Sequence, residues 1–162
     1  MRTSRDKRWN LFRMRALGSQ GFPGLGSMAE VVPILVVEDE PLIRMNLVDT
    51  LHEGGFTTEE CGDGKAACQC IDKCGEMQGL ITDIRLGDGP SGWDVARHAR
   101  RRFPHLAVLY VTGDSVAEWT SEGVPNSLIM QKPYAEAQLM TAIASLLIGA
   151  APQQSTDSSP VE

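Results

Sequence analysis

Residues 34–40 read ILVVEDE, and this stretch decides the fold. Four apolar residues, three of them β-branched, are followed by three acids, and Pro41 comes next. A short apolar run of this kind is typical of a strand in a parallel sheet, and proline is tolerated in the first turn of a helix. Ile43, Leu47 and Leu51 then recur at helical spacing. The stretch therefore predicts a strand, an acidic turn and a helix.

The same alternation of short apolar runs and helix-like segments continues along the chain. Gly54 and Gly55 end the first helix and Pro104 ends the third, which is marked by apolar residues at 95, 99 and 103. The predicted strands are 34–37, 56–61, 79–83, 106–112 and 126–130, and the other predicted helices are 63–74, with Asp63 as a possible N-cap, 114–122 and 135–148. Five strands alternating with five helices predict an α/β fold in which helices cover both faces of a parallel sheet.

Charge divides the chain unevenly. Residues 1–27 carry a net charge of +5, the whole chain −6, and residues 28–162 therefore −11. We predict a basic, disordered extension at 1–30, one domain at 31–149 and a disordered polar tail at 150–162. The acidic domain argues against nucleic acid as its partner. The basic extension could contact nucleic acid or an anionic membrane, could be plain disordered chain, or could precede a true start at Met28.

The cysteines and the hydropathy pattern give little information about function. The four cysteines (Cys61, Cys68, Cys70 and Cys74) form no C-x-x-C pair and have no histidine among them, so we expect reduced thiols, with metal binding or redox sensing as weaker alternatives. No apolar run reaches the length of a membrane helix, and arginines interrupt the apolar stretch near the N-terminus. By default the expected location is the cytoplasm, with no membrane partner.

Polar side chains stand where the predicted strands end. Glu38 and Asp39 follow the first strand, Asp83 ends the third, Thr112 ends the fourth, and Lys132 follows the fifth. In a parallel sheet these ends meet at one edge, where ligands collect. Clustered carboxylates repel one another unless a cation neutralises them, and oxygen ligands favour Mg²⁺ or Ca²⁺. A lysine and a hydroxyl opposite would suit a phosphoryl group, with a carboxylate as nucleophile.

Four segments carry a family resemblance. LVVEDEPLIR (35–44), LITDIRLGDGPSGWDVA (80–96), VLYVTGD (108–114) and QKPY (131–134) resemble the signature blocks of response-regulator receiver domains, in the family's order and approximate spacing. The resemblance covers about residues 32–148. It implies a flavodoxin-like doubly wound sheet of strand order 2-1-3-4-5, and a stand-alone receiver of a two-component phosphorelay.

The resemblance also implies a role for each rim residue. Asp83 matches the phosphoacceptor, Thr112 the switch hydroxyl and Lys132 the phosphate-binding lysine. The implied Mg²⁺ ligands are Asp39, Asp83 and the backbone carbonyl of Arg85, with Glu38 acting mostly through water. One position departs from the family, because Ile129 stands where a tyrosine or phenylalanine usually acts as a rotameric switch.

The implied partners are a sensor histidine kinase or histidine phosphotransfer protein, and a downstream protein or second copy bound through helix 4, strand 5 and helix 5. We expect no enzymatic activity beyond the domain's own phosphorylation and dephosphorylation. The alternatives are a pseudo-receiver that never takes phosphate, and an aspartyl-phosphate phosphohydrolase. The second alternative is disfavoured because Glu38-Asp39-Glu40 is not the D-x-D pattern of those enzymes. No glycine-rich phosphate loop follows strand 1, which also argues against a nucleotide-binding flavodoxin relative.

Overall fold

The computed structural model describes residues 33–150, which contain one five-stranded sheet. Its strands pair in parallel in the order β2-β1-β3-β4-β5, which confirms the predicted flavodoxin-like topology. The strand bounds are Pro33–Val37 (β1), Thr57–Cys61 (β2), Gly79–Asp83 (β3), Ala107–Thr112 (β4) and Leu128–Gln131 (β5).

Five α-helices connect and follow the strands. They are Pro41–Glu53 (α1), Gly64–Lys73 (α2), Gly92–Arg102 (α3), Trp119–Glu122 (α4) and Glu136–Ala150 (α5), and a 3₁₀ turn at Val116–Glu118 leads into α4. Pro41 occupies the first turn of α1 as predicted. Asp63 caps α2 by accepting a hydrogen bond from the amide of Ala66 at 2.7 Å.

The strands have two buried faces, and each face has its own helices. On one face α1 and α5 bury Leu47, Leu51, Leu139 and Ile143 against the sheet. On the other face the sheet packs against α2, α3 and the α4 segment, with buried residues that include Ala67, Ile71, Val95, Ala96, Ala99 and Val124. Since both faces are covered, β4 is buried along its whole length.

Several predicted bounds differ from those in the structure. Strand β5 begins at Leu128 and not at residue 126, because Asn126 has a left-handed backbone (φ 55°) that no strand accommodates. The fourth helix was predicted from residue 114 but begins with the 3₁₀ turn at Val116. Helix α5 extends to Ala150, two residues beyond the predicted helix end at residue 148.

Several predictions concern residues that lie outside the described part of the chain. These are the basic extension at 1–30 and the tail beyond Ala150. Within residues 33–150, no helix combines the length and apolar character needed to cross a bilayer. None of the four cysteines forms a disulfide bond, and none of them belongs to a cluster of metal-ligating side chains among the described residues.

Candidate functional site

The carboxyl edge of the sheet brings the predicted rim residues together. β1 leads into Glu38 and Asp39, β3 ends in Asp83, and β4 ends in Thr112. One carboxylate oxygen from each of the three acids lies within 4.8 Å of the other two. Glu38 is fully buried, Asp83 is largely buried and Asp39 is exposed. The cluster is therefore open to solvent on the Asp39 side.

Lys132 connects the two less exposed acids. Its Nζ donates to Oε2 of Glu38 and to Oδ2 of Asp83, each at 2.8 Å. The backbone amide of Lys132 donates to the carbonyl of Thr112 at 2.7 Å, which fixes the start of the β5–α5 loop to the end of β4. The Lys132–Pro133 peptide is cis. The lysine was predicted to face phosphate oxygens, and here it holds the carboxylates beside which a phosphate would sit.

The protonation behaviour of the site follows from this arrangement. Burial raises the pKa of Glu38, the negative charge of Asp83 raises it further, and the hydrogen bond from Lys132 opposes both effects. For Lys132, burial alone would lower the pKa, but its hydrogen bonds to Asp83 and Glu38 more than offset burial and leave the pKa raised. Lys132 is therefore the ammonium counter-charge of a crowded acidic site.

Arg44 supports the acidic loop, a role that was not predicted from the sequence. Its Nη1 donates to the backbone carbonyl of Glu38 at 2.6 Å, and its Nε lies 3.4 Å from the carboxylate of Glu60 on β2. A Cβ atom at Gly62 would lie 3.3 Å from the same Nη1, so a larger residue there would crowd the guanidinium. Arg44 thus ties the loop before Asp39 to the neighbouring strand.

The backbone of Asp83 is closely packed from the α3 side. A Cβ atom at position 92 would lie 2.0 Å from the carbonyl oxygen of Asp83, so only glycine fits there without moving the acceptor. The amide of Gly92 donates to the carbonyl of Ile84 at 2.9 Å. On the other side, Oδ1 of Asp83 accepts the amide of Arg85 at 3.2 Å. The carboxylate is therefore held in place before any ligand arrives.

Thr112 couples the rim to the β4–α4 loop. Its buried hydroxyl oxygen accepts the backbone amides of Asp114, at 3.3 Å, and Ser115, at 3.1 Å. Ser115 in turn donates from its hydroxyl to the carboxylate of Asp114 at 3.0 Å. Since the hydroxyl oxygen acts as an acceptor in both bonds, its hydrogen remains available for an oxyanion at the rim.

An ion pair stands at the mouth of the site. Nη2 of Arg85 lies 3.0 Å from Oδ2 of Asp114, and both side chains are exposed. The ion pair joins residues that lie two positions beyond Asp83 and Thr112. It links the loops that follow β3 and β4.

The position of the family's aromatic switch is filled differently here. Ile129 is half-buried and pairs in register with Tyr110 on β4. The Tyr110 ring is fully buried, with its centroid 4.4 Å from that of Trp93, and its hydroxyl accepts the amide of Val124 at 3.2 Å. Trp119 donates from its indole nitrogen to the hydroxyl of Ser127 at 3.0 Å. Tyr110 and Trp119 do not replace the missing switch, because their hydrogen bonds hold them to Val124 and Ser127 in the α4–β5 connection.

The donor set fits Mg²⁺. Glu38, Asp39 and Asp83 offer only carboxylate oxygens, the ligand type that hard divalent cations prefer. Asp39 is exposed and hydrogen-bonded to no other described residue, so it is available to a hydrated cation. The pKa of Glu38 is raised mainly by burial and further by the negative charge of Asp83, and a divalent cation would relieve this second effect.

Comparison with known proteins identifies the family of this fold and site. The sequence profile of the response regulator receiver domain matches residues 34–144. A crystal structure of a response regulator receiver protein from Sinorhizobium medicae is 37% identical, covers 75% of this chain and 98% of its own, and superposes with a TM-score of 0.73.

Curated relatives are longer than this chain. The transcriptional activator protein ExaE of Pseudomonas putida is 34% identical over 72% of this chain and 55% of its own length. The phyllosphere-induced regulator PhyR of Methylorubrum extorquens is 31% identical over 70% of this chain and 43% of its own. The chain thus spans about half the length of these two relatives.

Proposed function

The chain belongs to the response regulator receiver domain family, and from that membership and the rim geometry we propose that Asp83 is a phosphoacceptor. The donor is the phosphohistidine of a sensor histidine kinase or of a histidine phosphotransfer protein. A carboxylate oxygen of Asp83 forms a bond to phosphorus as the bond from phosphorus to the histidine nitrogen breaks. The proposed activity belongs to residues 34–144, the part of the chain that matches the family.

One observation carries this proposal: Lys132 holds Asp83 and Glu38 at 2.8 Å each, with Asp39 beside them. Phosphoryl transfer needs a positioned nucleophile and positive charge around the phosphoryl oxygens. Asp83 is oriented by Lys132 and by the amide of Arg85. When a phosphoryl group is attached to Asp83, Lys132 can donate a hydrogen bond to one of its oxygens and Thr112 to another. The two side chains can therefore stabilise the aspartyl phosphate.

We propose Mg²⁺ as the cofactor. Asp39, Asp83 and the backbone carbonyl of Arg85 would hold it, with Glu38 supporting through water. When bound, Mg²⁺ would neutralise charge on the transferring phosphoryl oxygens. Two observations support this assignment. Asp39 is exposed, and one oxygen from each of the three carboxylates lies within 4.8 Å of the other two.

The remaining roles are proposed from the family and the surface. The domain works in the cytoplasm and turns over no substrate beyond its own phosphoryl group. Output occurs by protein contact through α4, β5 and α5, with a downstream protein or a second copy. Leu128 (37% exposed) and Ile148 (79% exposed) leave apolar surface there. Met140 contributes little to this surface, because it packs half-buried beside Gly54.

The test is intact-mass analysis after incubation with acetyl phosphate and Mg²⁺. We expect the parent protein to gain one phosphoryl group and Asp83→Asn to gain none, because the amide has nearly the same shape but is a poor nucleophile. Asp88→Asn, an exposed acid in the following loop, is the matched control and should label like the parent. Equal labelling of Asp83→Asn would reject Asp83 as the acceptor.

Two further variants separate the metal from the acceptor. Asp39→Ala should lower both Mg²⁺ affinity and labelling, whereas Asp88→Ala should lower neither. A parent protein that binds Mg²⁺ but never labels would be a pseudo-receiver. A protein that hydrolyses acetyl phosphate over many turnovers would be a phosphohydrolase.

A further inference from the structure

A cleft of about 390 Å³ lies at the end of the sheet opposite the rim. It is lined by residues at the starts of β4 and β5 and by the last turns of α3 and α5, including Arg100, His105, Leu106, Asn126, Ser145 and Leu146. Its volume falls in the range of small-ligand sites. Among residues 33–150, no acidic side chain lines it, so the formal side-chain charges that these residues supply are the guanidinium and any proton on the histidine.

Arg100 in this cleft lacks the partners that other arginines of the chain have. Its Nε is buried without a hydrogen-bond acceptor, and its Nη1 has only a long bond of 3.4 Å to the carbonyl of Pro104. By contrast, Arg97 contacts two carboxylates and Arg85 contacts one. Burial lowers the pKa of the Arg100 guanidinium, as expected for a cation withdrawn from water without a counter-ion.

The helix end explains only part of this placement. Arg100 lies in the last turn of α3, where a cation interacts favourably with the helix dipole. The dipole explains a positive charge near this end, but it supplies no acceptor for a buried Nε. A ligand in the cleft would not reach Nε, which has almost no accessible surface, and would instead contact the terminal nitrogens of the guanidinium, where Nη1 has only the long bond to Pro104.

Neighbouring groups could complete a site around the guanidinium. Asn126 and Ser145 both line the same cleft. The side-chain amide of Asn126 and the hydroxyl of Ser145 form no hydrogen bond with another described residue. Leu106 and Leu146 provide an apolar wall. A guanidinium fork matches a carboxylate with two parallel hydrogen bonds, and the leucines would receive a short alkyl group.

We propose that this cleft binds a small oxyanion, best matched by a short aliphatic carboxylate, with Arg100 as its main contact. The site is separate from the phosphoacceptor rim, so its existence does not depend on phosphorylation of Asp83. The bound anion would contact the starts of the two strands that lead to Thr112 and Lys132 at their other ends.

The test is an NMR titration of the full chain, labelled with ¹⁵N, using 3-methylbutanoate as the probe. The neutral 3-methylbutanamide has almost the same shape and controls for the charge, while sodium chloride controls for ionic strength. We expect saturable shifts at the cleft residues with the carboxylate and not with the amide. Inorganic phosphate is a second arm: if it binds more tightly than 3-methylbutanoate, the oxyanion is recognised as phosphate.

Variants then connect the binding to Arg100. Arg100→Gln should weaken binding by at least about tenfold, since it removes a charge-assisted pair of hydrogen bonds, and Arg100→Lys should weaken it less. Ser145→Phe, which changes an exposed helix residue at the cleft, should block the site even if Arg100→Gln fails to fold. The proposal is overturned if neither anion shifts the cleft residues beyond the chloride control, or if a folded Arg100→Gln or Ser145→Phe binds like the parent.

Discussion

The guanidinium of Arg85 lies 3.0 Å from the carboxylate of Asp114, across the mouth of the site that holds Asp83. A water molecule must approach an aspartyl phosphate in line to hydrolyse it, and this pair stands beside that approach. We therefore predict slow self-dephosphorylation, and a shorter phosphate half-life in Arg85→Ala. Exposed pairs contribute up to about 1 kcal/mol, so the half-life should change by up to about fivefold.

The measurement is the decay of phosphorylated protein by intact mass after donor removal. Asp114→Asn keeps the size of the side chain and removes the ion pair. This variant therefore distinguishes an effect of the ion pair on the half-life from shielding of the phosphoryl group by the Arg85 side chain itself. An unchanged or longer half-life in Arg85→Ala would contradict the prediction.

Arg44 should position the metal-binding loop without touching the metal. Arg44→Lys keeps the positive charge but loses the fork that reaches both Glu38 and Glu60. We expect Mg²⁺ affinity to fall by about tenfold, as for other residues that orient ligands, with a small change in thermal stability. Calorimetric titration with Mg²⁺ measures this. Glu60→Gln, which removes only the half-exposed ion pair, should have a smaller effect, and equal affinity in Arg44→Lys and the parent would exclude the role.

Lys132→Met should destabilise the metal-free protein, because it leaves Glu38 and Asp83 without their shared counter-charge. Breaking a buried pair costs about 3 kcal/mol. The loss should shrink as the pH falls, since protonation of Glu38, whose pKa is raised, removes one of the two charges. Mg²⁺ should raise the melting temperature of this variant more than that of the parent, because the ion replaces the lost charge.

Denaturant titrations at several pH values and Mg²⁺ concentrations provide these measurements. Lys65→Met, at an exposed lysine on α2, is the control and should behave like the parent. An equal Mg²⁺ effect in Lys132→Met and the parent would mean that lysine and metal do not share the same carboxylates.

Switching should travel through the β4–α4 loop, because Ile129 has no ring to turn. The Thr112 hydroxyl holds the amides of Asp114 and Ser115, so drawing it towards a phosphoryl group would move the loop. With beryllofluoride and Mg²⁺ as a phosphoryl mimic, hydrogen exchange should change within residues 113–134. Thr112→Ser should keep the response and Thr112→Val should reduce it. Changes confined to the loop after Asp83 would show that the signal takes another route.

Alkaline pH should unfold the protein through its two tyrosines. Burial raises the pKa of Tyr110, and burial also raises the pKa of Tyr134 to about 12. In the unfolded chain both ionise near pH 10, so the folded state retains protons that the unfolded state has released. Stability should therefore be lost as the pH rises from about 10 towards 12. Phenolate absorbance should appear together with unfolding, and Tyr134→Phe should lessen the loss; a phenolate titrating near pH 10 in the folded protein would contradict this.

Much of the rim was predictable because strand ends are visible in the sequence. Short apolar runs located the strands, and the parallel order placed Glu38, Asp83, Thr112 and Lys132 at one edge. Arg44 was not predicted, since its role depends on a side chain that reaches back to the carbonyl of Glu38. A charged residue beside the apolar stripe of α1 was the only signal.

Other errors arose where one residue overrides a regional pattern. Asn126 belongs to a stretch that reads as strand, but its left-handed backbone delays β5. The amides of Asp114 and Ser115 bond to the Thr112 hydroxyl, and the helix begins after them. The cleft at Arg100 had no signal in the sequence, because it forms from four elements that are far apart in the chain.

The bridge from Lys132 to Glu38 spans 94 positions of the chain, and this separation bears on how the domain can mature during its synthesis. Glu38 leaves the ribosome early, and its counter-charge is among the last parts of the domain to follow. Until Lys132 is available, enclosing Glu38 would bury an acid without its compensating cation. We therefore expect the carboxyl edge of the nascent sheet to stay hydrated and to open and close reversibly. It should become stably packed only when β5 docks.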